Sequence, residues 1–404
     1  MVSTEELIKI VSSQKEDLQK KDLGTERKIL KTINLNVSPA SILTGIRRCG
    51  KSTLLRQLMK KIKNFNYVNF EDPRLVDFKI SDFERLNEAF QEINGPCEYY
   101  FFDEIQNLPG WERIVRGLLD TNKKCIITGS NASLLSRELG TKLTGRHLNY
   151  ELFPFSYQEM LDMTNNKPSL ESFNFYLENG GFPEYLISKR MDLLQNLFKD
   201  IINRDIIVRY KLKDERAINK IALFLLSNVG KEFSYNKLKS YFQLGSTNTV
   251  ISFINYFEEC YLLFTISKFS YSLKKQIVNP KKVYTIDTGF SRANSITFSK
   301  DNGKILENFV FITLRKKYPE IFYYQEKGEC DFVIKQKDKI IEAIQVCYEF
   351  NEDNKTREIN GLLEALKQFD LKEGSILTYN QTDEFIIENK KIKLIPAWKW
   401  SITQ

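Results

Sequence analysis

The sequence predicts an α/β protein of several domains, built around a parallel sheet that carries a phosphate-binding loop. Three observations support this fold class. The chain has 404 residues, more than one ordinary hydrophobic core accommodates. Between about residues 35 and 155, apolar strands alternate with amphipathic helices, the pattern of a parallel sheet covered on both faces. The motif G-x-x-x-x-G-K-S at residues 45–52 joins the first strand to a helix.

The segment 45–52 has the glycine and lysine spacing of a loop that wraps the phosphates of a nucleotide. Glycine lets backbone N–H groups turn toward phosphate oxygens, Lys51 neutralises the terminal phosphates, and Ser52 offers a hydroxyl to Mg²⁺. A glycine-rich turn without a ligand is the alternative, but the strand at 41–44 and the helix at 53–59 favour the phosphate loop. We therefore expect ATP or ADP with Mg²⁺, bound by Gly45, Arg47, Arg48, Cys49, Gly50, Lys51, Ser52 and Thr53.

An apolar run that ends in two acids follows about fifty residues after the loop, at 98–104. In a parallel sheet Asp103 would emerge at the carboxyl edge and share Mg²⁺ with Ser52, and Glu104 would orient or deprotonate the attacking water. Considered alone, such a run is equally typical of a strand that ends in a solvated turn. Its spacing from the loop favours the catalytic interpretation, with Lys51, Asp103 and Glu104 as catalytic residues.

Two further positions are candidates for contact with the terminal phosphate. A third strand, 124–128, leads into Ser130 and Asn131, either of which is placed to sense the phosphate, although an N-cap for the next helix is an equal alternative. Arg146 follows a glycine turn and is our first candidate for the arginine that stabilises transition-state charge, in cis or from a neighbouring copy. Arg137 is the second candidate, and an ordinary surface ion pair is the alternative for both.

Composition limits the other classes of function. With 42% hydrophobic and 28% charged residues and no run of eighteen apolar ones, the chain is typical of a globular cytoplasmic protein without a membrane segment. Six scattered cysteines and a single histidine argue against a zinc site and a disulfide framework. The net charge of +8 permits nucleic-acid binding without requiring it.

Together these motifs resemble one archaeal and bacterial family of AAA-type ATPases, related to the ORC/Cdc6-like and STAND-like ATPases. The Arg47-Arg48 pair inside the loop is unusual for phosphate loops in general and typical of this group. Members carry a winged helix and a C-terminal nuclease-like domain, and the resemblance covers nearly the whole chain. It implies ATP hydrolysis and a helical segment that packs over the nucleotide as a lid. The motifs that carry it are residues 45–52, 102–106, 110–111, 128–131, 152–156, 180–185 and 204–207.

We predict four domains: the ATPase core at 1–155, the helical lid at 156–215, a winged helix at 216–292 and a nuclease-like domain at 300–404. In the winged helix, the third helix begins with short polar side chains suited to phosphates or base edges, and a basic tip joins two strands. A module that docks onto protein is the alternative. The candidate DNA contacts are Thr247, Asn248, Thr249, Lys274 and Lys275, with Lys237, Lys239, Lys281 and Lys282 completing a phosphate-binding face.

The last hundred residues resemble the PD-(D/E)xK nuclease core in its Holliday-junction-resolvase-like form. Glu307 and Asp331 match two of its acidic positions, but Gln345 and Cys347 stand where Glu-x-Lys is expected. An amide is a poor Mg²⁺ ligand and a thiol cannot replace an ammonium group. We therefore predict a degenerate site without nuclease activity, retained for contact with DNA or protein. Alternatively, the two acids are ordinary helix-surface and turn residues.

The leading hypothesis is a Mg²⁺-dependent ATPase whose nucleotide state repositions the winged helix and nuclease-like domain on DNA. The alternative is a STAND-like switch that turns over slowly and binds a partner protein. An ATP-driven nuclease is the least favoured. The sequence leaves the oligomeric state open, although an Arg146 that acts on a neighbouring copy would require a homo-oligomer.

Overall fold

A computed structural model describes residues 2–130, 143, 145–296 and 301–404. The chain forms two compact units, Met1–Phe153 and Pro154–Gln404. Within the described ranges, no helix has the length and apolar character needed to cross a membrane.

A parallel sheet forms the centre of the first unit. Its order is β2-β3-β4-β1-β5, and each neighbouring pair runs parallel, so the strands share one carboxyl edge. Strands β1 and β3 therefore end at the same edge, two strand spacings or about 10 Å apart. The strands are β1 (Ala40–Thr44), β2 (Phe65–Asn69), β3 (Tyr99–Asp103), β4 (Lys124–Gly129) and β5 (His147–Glu151).

The helices of the first unit have clear start signals and apolar faces. A capping box between Ser3 and Glu6 begins α1. In α4 the buried Trp111, Val115 and Leu118 recur at helical spacing and join a core that also contains Phe102. The helices in the described part of this unit are α1 (Thr4–Lys20), α2 (Lys51–Met59), α3 (Phe83–Asn94) and α4 (Trp111–Asp120).

The second unit begins with a series of helices. Ser156 and Ser169 cap the first two of them, as short hydroxyl side chains commonly do. The series contains α5 (Tyr157–Thr164), α6 (Leu170–Asn179), α7 (Pro183–Ser188), α8 (Met191–Asp200), a π-helix (Ile201–Val208), α9 (Glu215–Leu226), α10 (Tyr235–Tyr241) and α11 (Thr247–Glu259).

A small antiparallel sheet of order β6-β8-β7 accompanies the last three of these helices. Where the sequence indicated a simple basic tip between two strands, the chain instead forms a short helix, because Ser272 caps it by accepting from the N–H of Lys275. A further helix follows the sheet. These elements are β6 (Glu232–Phe233), β7 (Leu263–Ser267), α12 (Leu273–Val278), β8 (Lys281–Thr285) and α13 (Thr288–Asn294).

The remainder of the second unit is a mixed sheet of order β13-β14-β12-β11-β10-β9 with helices beside it. In chain order its elements run helix–strand–strand–strand–helix–strand, and a further pair of strands, β13 and β14, follows. The elements are α14 (Asn302–Arg315), β9 (Ile321–Gln325), β10 (Glu329–Gln336), β11 (Lys339–Cys347), α15 (Glu352–Gln368), β12 (Glu373–Thr378), β13 (Asp383–Ile387), β14 (Lys390–Pro396) and α16 (Ala397–Ile402).

Candidate active site

The loop at 45–52 can close only because glycine stands at both of its ends. Gly45 has a φ of +148°, and a Cβ there would lie 2.1 Å from the carbonyl oxygen of Leu152. Gly50 has a φ of +99°, in the region that side chains disfavour, and it immediately precedes α2. A side chain at Gly45 would therefore collide with the backbone of Leu152, and one at Gly50 would strain the turn into α2.

Lys51 begins α2 and is almost completely buried. Its ammonium group donates to the carbonyl oxygens of Gly45 (3.1 Å) and Ile46 (3.2 Å) and lies 3.9 Å from Oε1 of Glu104. One positive charge is thus held inside the loop and beside the predicted base.

The other predicted nucleotide-binding residues contribute in different ways. The guanidinium of Arg47 lies 3.4 Å from the carboxylate of Glu71, and the side chain of Arg48 is exposed. Burial raises the pKa of the Cys49 thiol, so this residue presents its backbone rather than a thiolate. Thr53 lies in the first turn of α2, directly after Ser52.

Ser52 and Asp103, the two residues predicted to hold Mg²⁺, are in contact. Burial and then the neighbouring Glu104 raise the pKa of Asp103, while hydrogen bonds from the hydroxyls of Thr128 and Ser52 oppose that rise. A hydroxyl and a desolvated carboxylate are hard oxygen donors of the kind that Mg²⁺ selects. The donor set fits the expected ion.

Glu104 adopts an unusual backbone conformation. Its φ is +50°, which is uncommon outside glycine. Its N–H donates to Oγ1 of Thr128 at 2.9 Å, and its carboxylate accepts from the amide of Gln106. Backbone strain of this kind persists where surrounding contacts enforce it, commonly at functional sites. This conformation turns Glu104 away from the line of β3 and brings its carboxylate next to Lys51.

Two supporting residues were missed by the sequence analysis. The guanidinium of Arg27 is buried and donates to the carbonyl oxygens of Cys49 (2.8 Å) and Phe153 (2.7 Å). No periodicity distinguishes this arginine from a surface one, so the sequence carries no signal for it. Thr128 joins Asp103 to Glu104 through one hydroxyl, and its position at the end of a strand next to β3 was the available signal.

Of the predicted phosphate sensors, Ser130 is described by the structure. Its hydroxyl is buried and finds no hydrogen-bond partner among the described residues. It follows Gly129, which pairs with Thr44 directly before the phosphate loop. Asn131 and Arg137 lie outside the described residues, so their roles stay predictions.

Arg146 is not brought to the phosphate loop of its own chain. It directly precedes β5, whose first residue, His147, pairs with Ala40 at the start of β1. It therefore lies at the amino edge of the sheet, about 15 Å from the loop at the carboxyl edge. Its guanidinium is 47% exposed and pairs with Asp120 at 2.7 Å. A role in cis is incompatible with this position, and a role in a neighbouring copy stays a prediction.

The candidate DNA contacts lie on two elements. Thr247, Asn248 and Thr249 form the first turn of α11, and the hydroxyl of Thr247 donates to the Asn236 side chain at 3.0 Å. Lys274 and Lys275 are exposed on α12. The prediction that Lys282 belongs to a phosphate-binding face is wrong. This side chain is 2% exposed and cannot contact a DNA backbone.

The predicted nuclease-like residues are brought together in part. Glu307 on α14 and Asp331 on β10 are both buried, which contradicts their alternative interpretation as surface residues. The side chain of Gln345 accepts from the N–H of Asp331 at 3.1 Å, whereas Cys347 directs its sulfur to the carbonyl of Glu349. In the part of the chain that the structure describes, no cluster of three or more His, Cys, Asp or Glu is arranged to hold a metal.

Comparison with known proteins identifies the family of this chain. An AAA domain model matches residues 37–161, and two domains of unknown function, DUF8612 and DUF4143, match residues 170–300 and 302–400. The chain is 33% identical to the Methanocaldococcus jannaschii protein MJ1544 over 403 residues, which covers 92% of this chain and 90% of the relative. A Haemophilus influenzae protein is 29% identical over 343 residues, with 80% and 85% covered.

Among solved structures, the Walker-type ATPase paby2304 of Pyrococcus abyssi overlaps with 70% of this chain and 94% of its own, at 15% identity and a TM-score of 0.41. The assignment rests on the sequence relatives and the AAA match, which confirm the predicted AAA-type phosphate-loop core. The chain belongs to the family of MJ1544, and its residues 37–161 form the AAA domain.

Proposed function

We propose that this protein is a Mg²⁺-dependent ATP hydrolase whose catalytic centre consists of Lys51, Ser52, Asp103 and Glu104. The observation that carries this proposal is their convergence at one edge of the parallel sheet. The Lys51 ammonium lies 3.9 Å from Glu104, and the Ser52 hydroxyl bonds to Asp103. Phosphate-binding, metal-binding and base functions thus meet in one place.

Each side chain has a defined part in the reaction. The backbone amides of residues 45–52 bind the phosphates, and the ammonium of Lys51 neutralises their charge. Ser52 and Asp103 would hold Mg²⁺, which withdraws electrons from the phosphate oxygens when bound. Glu104 accepts a proton from the attacking water, and Gln106 and Thr128 fix its orientation. The buried hydroxyl of Ser130 is available to the terminal phosphate.

Substitution of the predicted base tests this assignment. In Glu104→Gln we expect ATP binding to persist and hydrolysis to fall by about 10²–10⁴-fold, because the amide cannot accept the proton. Lys51→Ala should lose ATP binding itself. Binding is measured by calorimetry and hydrolysis by phosphate release. The matched control is Glu98→Gln, an exposed carboxylate just before β3, which should hydrolyse ATP normally. Normal turnover by Glu104→Gln would refute the assignment.

We further propose that the nucleotide state repositions a winged helix on DNA. Supporting this, the chain runs α9, β6, α10, α11, β7 and, after the short helix α12, β8, which is the helix and strand order of a winged helix. Asn248, Lys274 and Lys275 are exposed there, and the chain carries a net charge of +8. We propose that the four predicted domains are the functional parts of this ATPase. We also propose that the protein is a homo-oligomer if Arg146 acts on a neighbouring copy.

One observation favours the alternative, a nucleotide switch that binds a partner protein. Apolar side chains on and beside α12 are open to solvent, with Tyr271 80% and Val278 73% exposed, and Leu273 and Ile277 are exposed as well. Clustered exposed apolar side chains commonly mark protein interaction sites. A measurement of DNA binding by the intact protein distinguishes these two proposed functions.

We also propose that the C-terminal domain has no nuclease activity. Gln345 supplies an amide where a metal-dependent nuclease needs a carboxylate, and the two remaining acids are buried. DNA cleavage that requires Mg²⁺ or Mn²⁺ and disappears in Asp331→Ala would contradict this proposal.

A further inference from the structure

A buried lysine occupies the centre of the acidic cluster in the C-terminal sheet. Lys282 belongs to β8 of the small sheet β6-β8-β7. Its ammonium nitrogen lies 2.9 Å from Oδ1 of Asp331, 2.5 Å from Oε1 of Glu329 and 3.5 Å from Oε1 of Glu307. Three carboxylates from two separate elements, β10 and α14, therefore converge on a single cation.

The electrostatics of the cluster hold this ammonium in its charged form. Burial removes water from the ammonium of Lys282, and the carboxylate oxygens of Glu329 (2.5 Å) and Asp331 (2.9 Å) take its place. A charged group without water is tolerated when opposite charges and hydrogen bonds replace its hydration. The positive charge of Lys282 is thus fixed by the acids around it.

The two buried acids have partners for each of their oxygens. For Glu307, one oxygen accepts from the Tyr284 hydroxyl at 2.7 Å and the other from Lys304 at 2.7 Å. For Asp331, one oxygen accepts from Lys282 and the other from the N–H of Val346 at 3.0 Å. Two ammonium groups, those of Lys282 and Lys304, thus face the two buried carboxylates, while the third acid, Glu329, is partly exposed to solvent.

Burial also distinguishes this cluster from an active site that a substrate could enter. Glu307 and Asp331 are less than one-tenth exposed, and Lys282 covers them from the small sheet. A phosphodiester could reach these acids only if β8 moved away. The same strand contributes Tyr284 to the cluster, so two residues of β8, Lys282 and Tyr284, contact the buried acids.

We propose that Lys282 is a built-in cation: its ammonium takes the place of a divalent metal among Glu307, Glu329 and Asp331 and latches β8 onto the C-terminal sheet. The small sheet is then held to the C-terminal sheet through the contact between Lys282 and the acidic cluster. Because the ammonium supplies the charge, the intact protein needs no divalent ion there. This role of Lys282 is independent of ATP hydrolysis.

Replacement of the lysine in the full-length protein tests the latch, with Mn²⁺ as the probe. Lys282→Ala should lower Tm by about 10 °C, because buried carboxylates lose their counter-charge. Added Mn²⁺ should restore part of that loss in Lys282→Ala, and should not once Asp331→Asn is added. The matched control is Lys281→Ala, the adjacent lysine of the same strand, whose ammonium donates to Ser267 instead, and in which added Mn²⁺ should restore no Tm.

A charge-balanced variant covers the case in which Lys282→Ala does not fold. Lys282→Met combined with Asp331→Asn removes one charge of each sign, and we expect it to fold and to exceed Lys282→Met alone in Tm. Failure of this rescue would overturn the proposal. So would Mn²⁺ binding by the unaltered protein that Asp331→Asn abolishes, since the ammonium would then not occupy the cation position. An unchanged Tm in Lys282→Ala would overturn it as well.

Discussion

At the scale of single residues, Asp287 has a carboxyl group whose surroundings explain a glycine pair far away in sequence. It is buried and accepts hydrogen bonds from the N–H groups of Gly181 (2.6 Å) and Phe290 (2.8 Å). A Cβ on Gly180 would lie 2.0 Å from this carboxylate, and Gly180 also has a φ of +69°. Burial raises the pKa of Asp287 to about 6, although the backbone hydrogen bonds oppose that rise.

This raised pKa predicts how stability depends on pH. The folded value of about 6 exceeds the ordinary value of 3.8, so the contribution of Asp287 is fully present below pH 3.8 and is lost as pH rises through 6. Its loss amounts to about 3 kcal/mol in the free energy of unfolding. We expect urea titrations of Asp287→Asn to lack this decline, even if the variant is less stable overall. An identical decline in Asp287→Asn would contradict the expectation, and Asp383→Asn, at an exposed position, is the control.

At the scale of elements, close packing of a helix on a strand depends on one residue without a side chain. Gly361 lies in α15, and a Cβ there would be 2.1 Å from the carbonyl oxygen of Glu329 on β10. The helix rests on this strand and buries Ile359, Leu362 and Leu366 in the C-terminal core. The distance between helix and strand is therefore set by backbone contact.

A pair of glycine substitutions tests this contact. Gly361→Ala should destabilise the protein by about 1–3 kcal/mol, because helix and strand must separate. Gly117→Ala is the matched control: this glycine lies in α4, has no atom within 4 Å of an added Cβ, and should gain about 0.5–1 kcal/mol from helix propensity. Both values come from urea denaturation. Equal effects of the two substitutions would show that the contact does not limit packing.

At the scale of the whole molecule, the parts that the sequence predicted are those that depend on local spacing. The phosphate loop, its strand and the acids at 103 and 104 are encoded by neighbouring residues and by parallel strands that end together. The position of Lys282 could not be predicted, since a lysine on a short strand resembles a surface residue until partners 25 and 49 positions later fold around it. The location of Arg146 could not be predicted either, because it depends on the direction in which β5 joins the sheet.

DNA binding by the intact protein is the prediction that concerns the molecule as a whole. If Lys274 and Lys275 contact phosphates, affinity should fall steeply with salt, and Lys274→Ala with Lys275→Ala should reduce the slope of log K against log salt by about 2. DNA should also stimulate ATP hydrolysis. Fluorescence anisotropy at several salt concentrations measures the first effect and phosphate release the second.

Replacement of Lys20 and Lys21, exposed at and just after the end of α1, is the matched control and should leave the slope unchanged. Binding that is absent at low salt, together with hydrolysis indifferent to DNA, would instead support the switch that binds a partner protein.

The end of the first unit lies on the nucleotide loop itself. The N–H of Leu152 donates to Thr44 at 2.7 Å, its carbonyl oxygen closes over Gly45, and the next carbonyl, that of Phe153, accepts from Arg27. The covalent joint to the second unit begins one residue later. A shift of the loop at Gly45 would thus act directly on the backbone of Leu152, two residues before the second unit begins.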